Sequence, residues 1–417
     1  MSAESTLWAQ VDDQGRITLP PEVAARFGLR PGTRMRIEED ANQFRLHRPA
    51  THLAKVYIEP TNRCNLDCVF CMRGAWHEPL GQMSKATFDR ILDGLREITP
   101  PPTVFFGGIG EPLAHPKTID MVARVKEIGA TAEMITNGTL LDAKRSRRLI
   151  DAGLDVLWVS IDGATPEHFA DVRLGAALPQ VLANLDGFRR ARPPAHRPTP
   201  EIGVAFVAMK RNIADLPQVI AIGRRLGAKR FMVSNLLPYS PEMCDEILYE
   251  RTLNDIAYLP SQWLPRLSMP KMQLDEVTSE TFIRVLTSNL NVTFAGNNLG
   301  GANDVCTFIE SGALAIGWDG SVSPCPPLLH THVGYLRRRR RVSVRHIIGN
   351  VAERGLLELW NDPDYVTYRE RVQGFGFAPC TSCGGCEVAE TNETDCFDSP
   401  APACGGCLWA QAIVQCP

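Results

Sequence analysis

The 417-residue sequence contains no apolar run long enough to span a bilayer, which excludes a helical membrane-spanning protein. Its first residues, Met1-Ser2-Ala3-Glu4-Ser5-Thr6, lack the basic and apolar regions of a signal peptide, so a cytoplasmic location is the expectation. Excess charge of either sign is also missing: the net charge is −3, which gives no overall bias toward nucleic acid or membrane. With 44% hydrophobic and 22% charged residues, the chain lacks the polar bias of a disordered protein. Its length suffices for a barrel-sized core plus one or two smaller modules. Cysteine is scarce over most of the chain. None precedes Cys64, and only Cys244 lies between Cys71 and Cys306. Yet the total is thirteen, with nine from Cys306 onward, and in a reducing compartment such clusters suit metal ligation better than disulfides.

The first cluster is Cys64-Asn65-Leu66-Asp67-Cys68-Val69-Phe70-Cys71, a CxxxCxxC loop with an aromatic residue before its last cysteine. Three thiolates there can hold three irons of a [4Fe–4S] cluster. The loop has no fourth cysteine, so the fourth iron is left open for a substrate. A zinc knot or a disulfide pair is the alternative, although zinc sites usually pair their ligands as CxxC. This spacing resembles the signature of the radical SAM enzymes. The resemblance implies that the amino and carboxylate groups of S-adenosylmethionine (SAM) chelate the open iron. It also implies that one electron cleaves the sulfonium, leaving a 5′-deoxyadenosyl radical that abstracts hydrogen from a substrate.

From Lys55 the pattern repeats as strand, loop and helix. Apolar runs at 56–58, 103–106, 132–135, 156–159, 202–207 and 231–233 read as six strands. Ser84, Asp142 and Thr165-Pro166 are helix-start signals, and Gly129 and Gly153 are helix stops. Repeated βα units imply a parallel sheet covered by helices. The expected fold is therefore α/β: a partial (βα)6 TIM-type barrel of the radical SAM kind, with chemistry at the C-terminal strand ends, where the cysteine loop falls.

After the second strand comes Gly107-Gly108-Ile109-Gly110-Glu111-Pro112. Glycines let backbone approach a ligand, and Glu111 offers a carboxylate to an ammonium group. The stretch resembles the GGEP motif that binds the SAM amino group, except that Ile109 and Gly110 separate Gly108 from Glu111. Asn137 closes the third strand, and Ser160 and Asp162 close the fourth. Short polar groups there could bond the SAM carboxylate and ribose, or serve only as turn and cap residues. By the same resemblance Phe70 packs near the adenine or the cluster.

Residues 1–50 form a separate module of short strand-like runs around Asp12-Asp13-Gln14-Gly15, a helix opening at Pro20-Pro21, and the turn Pro31-Gly32. With Gly-Arg-Ile-Thr-Leu-Pro and Leu-Arg-Pro-Gly, this order resembles the AbrB-like swapped-hairpin domain, which implies a dimer through residues 6–48 and, in many relatives, DNA binding. Seven Arg and no Lys against seven Asp plus Glu leave the module without net positive charge. Residues 51–260 are assigned to the barrel. Residues 261–417 are assigned to bridging helices and a cysteine-rich module.

Cys306 and Cys325 flank a strand–turn–strand with Asp319-Gly320 at its tip, so both thiolates could face one site. Cys380, Cys383, Cys386, Cys396, Cys404, Cys407 and Cys416 follow. This resembles the SPASM extension, which binds auxiliary [4Fe–4S] clusters, and zinc remains the alternative for the CxxC pairs. Nine thiols for two clusters leave the ligand map open. The run Arg337–Arg341 reads as a solvated loop.

The tail, with Trp318-Asp319-Gly320 and Ser323-Pro324-Cys325, resembles the radical SAM maturases associated with tungsten-containing aldehyde oxidoreductases. That resemblance implies action on a tungsten–pterin cofactor or its client enzyme, two auxiliary clusters, and an electron donor such as ferredoxin or flavodoxin. Two other readings stand beside it. One is a SPASM maturase that crosslinks a ribosomal precursor peptide. The other is an iron–sulfur redox sensor that binds DNA through its N-terminal module.

Overall fold

The computed structural model describes residues 7–39, 44–195, 198–250, 275–286, 292–294, 306–378, 380–383, 386–411 and 413–414. Strands β1 (Gln10–Val11) and β2 (Ile17–Thr18) pair antiparallel across a turn in which Asp12 Oδ1 accepts from the backbone N–H of Gln14 and Arg16. Helix α1 (Pro21–Arg26) opens on proline, and β3 (Ile37–Glu39) pairs with β4 (Phe44–Leu46). These hairpins leave Trp8, Val11, Ile17, Ile37 and Phe44 exposed. Buried His47 ties the module to the body, bonding Glu38 and Glu310 at 2.9 Å each.

The sheet that follows is built as the repeating pattern predicts. Strands β5 (Lys55–Ile58), β6 (Thr103–Phe106), β7 (Ala132–Thr136), β8 (Val156–Ser160), β9 (Glu201–Ala208) and β10 (Ala228–Asn235) lie side by side, all parallel. Helix α2 (Lys85–Arg96) starts where the Ser84 hydroxyl accepts from Thr87 N–H at 3.0 Å. It buries Phe88, Ile91, Leu92 and Leu95 on one stripe. Helices α3 (Thr118–Glu127), α4 (Ala143–Asp151), α5 (Pro166–Val172), α6 (Leu178–Ala191) and α7 (Leu216–Arg225) complete the covering layer. Asp142 caps α4 and Thr165 caps α5. Gly129 and Gly153, both at φ +79°, end α3 and α4 in the left-handed turn that glycine adopts without strain. Inside the barrel the Trp158 indole lies so close to Gly203 that a Cβ there would come within 2.4 Å of the ring.

The sheet does not stop at β5. Strand β11 (Val292–Phe294) adds parallel to β10 at one end. At the other, β12 (Ala313–Ile316) pairs parallel with β5, followed antiparallel by β13 (Ser321–Ser323), and β14 (His332–Leu336) and β15 (Arg339–Ser343) form a separate hairpin. Strand β16 (Gly349–Asn350) closes the edge against β13, so this sheet has ten strands among the described residues. Gly320 turns β12 into β13 at φ +87°, with Asp319 Oδ1 accepting from Ser321 N–H. The bridging helices expected between the barrel and the cysteine-rich module fall largely outside the described residues. Ser279–Leu286 is helical within them. The run Arg337–Arg341 is the tip and return strand of the β14–β15 hairpin, and it departs from the solvated expectation at Arg341, which is buried.

Candidate functional site

The loop from Glu59 to Cys71 leaves the C-terminal end of β5 and is held rigidly. Thr61 donates its hydroxyl proton to the Gly81 carbonyl at 2.6 Å. Asn62 donates to the Pro79 carbonyl and accepts from Gly81 N–H. Farther on, Val69 N–H bonds the Val172 carbonyl. The glycine turn packs directly on this loop: a Cβ on Gly110 would stand 2.1 Å from the Thr61 carbonyl oxygen and 2.6 Å from that of Arg63. Only glycine fits there.

Cys64, Cys68 and Cys71 are half-buried free thiols on that loop. Two nitrogens point at their sulfurs, Asn137 Nδ2 at 3.9 Å from Cys64 Sγ and Arg173 Nη1 at 3.8 Å from Cys68 Sγ. Burial pushes the Cys68 thiol up to about 11, with Arg173 opposing, and burial raises Cys64 and Cys71 as well. A metal that binds them must therefore displace protons. Three thiols on one loop, met by N–H donors suited to anionic sulfur, fit an iron–sulfur cluster.

The other sequence-predicted residues group on two sides of this loop. Glu111 is buried and accepts from Leu113 N–H, the Thr136 hydroxyl and Asn137 N–H. Burial raises its proton affinity and those hydrogen bonds oppose the shift. Its carboxylate thus locks the glycine turn to the end of β7, and Pro112 begins the short helical turn beyond it. Gly107 faces the Phe105 ring, and Gly108, at φ +124°, lies against Glu59. On the far side, Asp162 is fully buried, accepting from Val207 N–H at 2.7 Å and from Arg173 Nε. Arg173 in turn lies over the Phe70 ring at 5.4 Å. Burial works against its charge, but Asp162 and the neighbouring cysteines hold its proton more strongly still. Ser160 is buried at the end of β8, opposite Ala205.

Arg173 had no signal in the sequence, being a single arginine after a short helix. Glu59 did carry one, as an acid ending an apolar strand beside the cysteine loop. Its Oε1 bonds His330 Nε2 at 3.0 Å and its Oε2 accepts from Ile109 N–H. His330 Nδ1 bonds Glu78 Oε2 at 2.6 Å.

The C-terminal thiols divide into two sets. Cys306, Cys325, Cys404 and Cys407 line one cavity together with Tyr368 and Arg341. Cys380 and Cys386 line a second, also beside Arg341, and Cys396 acts electrostatically on Cys380. Cys383 ends the short helix Cys380–Cys383, and Cys416 lies outside the described residues. Burial raises Cys306 to about 12 and lifts Cys325 and Cys404 farther. The Tyr368 hydroxyl is hydrogen-bonded to Cys404 Sγ at 3.2 Å. Four thiols lining one cavity suit the four irons of a cluster.

Comparison with known proteins agrees with this geometry. The profile of the radical SAM superfamily matches residues 58–197, and that of the SPASM iron–sulfur cluster-binding domain matches residues 306–387. The chain is 31% identical over 366 residues to the tungsten-containing aldehyde ferredoxin oxidoreductase cofactor-modifying protein of Pyrococcus furiosus, an alignment covering 87% of this chain and 96% of that one. In fold it is similar to SuiB of Streptococcus suis bound to its precursor peptide SuiA, with a TM-score of 0.51, 16% identity, and 76% of this chain and 67% of that one covered. It is similar also to anSMEcpe with bound AdoMet, with a TM-score of 0.51, 16% identity, and 86% and 96% covered. The chain therefore belongs to the radical SAM superfamily and carries a SPASM domain, so it is a SAM-dependent iron–sulfur enzyme.

Proposed function

We propose that this enzyme modifies or matures the tungsten–pterin cofactor of an aldehyde oxidoreductase-type protein. The observation that carries this reading is the 31% identity extending across 96% of the Pyrococcus furiosus relative. When bound, the loop cluster and SAM supply reductive cleavage of the sulfonium and a 5′-deoxyadenosyl radical. The chain's own residues supply the frame. Cys64, Cys68 and Cys71 would hold three irons. Asn137 and Arg173 would bond the ligating sulfurs, and Asp162 fixes the Arg173 fork. The Gly107–Pro112 turn, anchored through Glu111, would present backbone to the SAM amino group, and Ser160 would bond its ribose. Cys306, Cys325, Cys404 and Cys407 would hold one auxiliary cluster, and Cys380, Cys383, Cys386 and Cys396 the other. A ferredoxin- or flavodoxin-type protein would donate the electron. The exposed apolar side chains of the N-terminal hairpins would be covered by a second copy of the chain, because isolated two-stranded hairpins are marginal in water. Sedimentation equilibrium tests that pairing, and a monomer at micromolar concentration would oppose it.

The functional test is anaerobic. Protein reconstituted with iron and sulfide should hold about twelve irons per chain and release 5′-deoxyadenosine with dithionite and SAM. Added tungsten–pterin cofactor should change in mass, and Cys68→Ala should abolish 5′-deoxyadenosine formation. SAM cleavage with no change in the cofactor would turn the search to a precursor peptide, a reading supported by the fold shared with SuiB.

A further inference from the structure

We propose that Arg341 is a positioning charge shared by both auxiliary iron–sulfur sites, raising the reduction potential of each. The inference rests on the reading that the C-terminal cysteines hold clusters.

Five consecutive arginines, Arg337–Arg341, cross the β14–β15 hairpin, yet the fold sorts them. Arg337 and Arg338 form the tip at φ +51° and +62°. Arg338 pairs with Asp245 and Arg339 with Glu390, each at 2.7 Å and half-exposed. Arg341, opposite Gly334, turns inward and retains 7% exposure. Among the described residues no carboxylate pairs with it, and its hydrogen-bond partner is the Ala389 carbonyl, on the turn after Cys386. A buried guanidinium without a counter-ion is costly, so an anion is expected beside it. Of the five arginines it alone lines both thiol cavities, while Arg337, Arg339 and Arg340 line the second. Arg341 lines the cavity of Cys306, Cys325, Cys404 and Cys407 and also the cavity of Cys380 and Cys386. Its electrostatic partners are Cys407, Cys380 and Cys404, thiols drawn from both sets.

The seat for this side chain is built into the Cys404-Gly405-Gly406-Cys407 loop. A Cβ on Gly406 would stand 2.7 Å from Arg341 Nη1 and 2.8 Å from Cζ, so a side chain there would expel the guanidinium. Iron–sulfur clusters held by thiolates carry net negative charge, and one-electron reduction adds to it. A fixed cation at close range favours the reduced form and raises the potential. Since one side chain faces both sets, a single substitution should move two potentials together.

The test is an anaerobic redox titration followed by electron paramagnetic resonance, on full-length protein reconstituted with iron and sulfide. Arg341→Gln and Arg341→Lys are compared with wild type, and iron per chain is measured for each. The expected result for Arg341→Gln is undiminished iron and a downward shift of both auxiliary signals. The shift should be about tenfold in each reduction equilibrium, about 59 mV for one electron. The SAM-cluster signal should stay in place, and Arg341→Lys should recover most of the shift. Unchanged potentials at full iron content, or a shift in one auxiliary signal alone, would overturn the proposal. If Arg341→Gln loses iron, Arg341→Lys decides the matter. Retained clusters with potentials near wild type support the charge role. Loss of iron from Lys as well would mean a purely structural role and overturn it. Wild-type protein that takes up only about four irons would instead refute the underlying cluster assignment.

Discussion

His330 sits between two carboxylates and joins the cysteine-rich half of the molecule to the mouth of the barrel. Replacing it with alanine removes a partner from each. Glu78 keeps the Thr331 N–H at 2.8 Å, and its side chain is 19% exposed, so water can replace the imidazole. Glu59 has no such relief. It is 1% exposed and, without the imidazole, keeps the Ile109 N–H at 3.0 Å. Breaking a buried pair from one side costs about 3–5 kcal/mol, most of it the uncompensated charge left behind. Glu59→Gln in the His330→Ala background removes that charge, so the double variant should be more stable than the sum of the single losses implies. A coupling of about 0.5–3 kcal/mol is expected. The assay is anaerobic urea unfolding of the four reconstituted proteins, read by circular dichroism and tryptophan fluorescence, because Trp76 packs on His330 at 4.3 Å between ring centres. The pH dependence follows. Burial works against the imidazolium, but hydrogen bonds and charge from Glu59 and Glu78 outweigh it, so the folded proton affinity is raised. A raised folded value means that the stabilisation is fully present below about pH 6.5 and is lost as pH rises through the folded value. The stability gap between wild type and His330→Ala should therefore narrow with rising pH. Strictly additive losses, or a gap that widens with pH, would refute the reasoning.

Three further outcomes are expected. Gly110→Ala drives a methyl group against the Thr61 and Arg63 carbonyls, so about four irons per chain should be lost while the auxiliary signals persist in paramagnetic resonance. Arg173→Gln takes from buried Asp162 its cation and from Cys68 the charge opposing its upward shift. Stability should fall by about 3–5 kcal/mol in urea, and alkylation of Cys68 in iron-free protein should slow at fixed pH. Gly203→Ala would overpack the barrel interior against Trp158, costing about 1–3 kcal/mol in the same unfolding assay.

The barrel was legible because its signals are local. Ser84, Asp142 and Thr165 cap helices through N–H groups three residues away, and the parallel strands follow from apolar runs separated by helical stripes. The cysteine loop was legible from spacing alone. What stayed hidden depends on distance along the chain. Glu59 and His330 meet across 271 positions, and Asp162 finds Arg173 only after helix α5 has turned the chain back. Nothing in CxxC spacing says that Cys404 and Cys407 join Cys306 and Cys325 while Cys380 and Cys386 gather elsewhere. The arginine run illustrates the limit most sharply. Composition describes Arg338 and Arg339 well, but Arg341, two positions farther along the same strand as Arg339, is buried.

The pairing of β12 with β5 also bears on how the enzyme can be divided. Lys55 to Ile58 lie between Thr103 to Phe106 on one flank and Ala313 to Ile316 on the other, so the strand that launches the cysteine loop is interior to the sheet. Cutting the chain near residue 260 would strip one flank and leave β5 as an unprotected parallel edge, a template for aggregation. The same ladder acts as a ruler. Cys64 follows β5, while Cys306 and Cys325 bracket β12 and β13, so the spacing between the SAM site and its neighbouring thiol set is fixed by backbone hydrogen bonds. A chimera that exchanged the cysteine-rich tail for another would keep that spacing only if the incoming tail brought a strand in the same register.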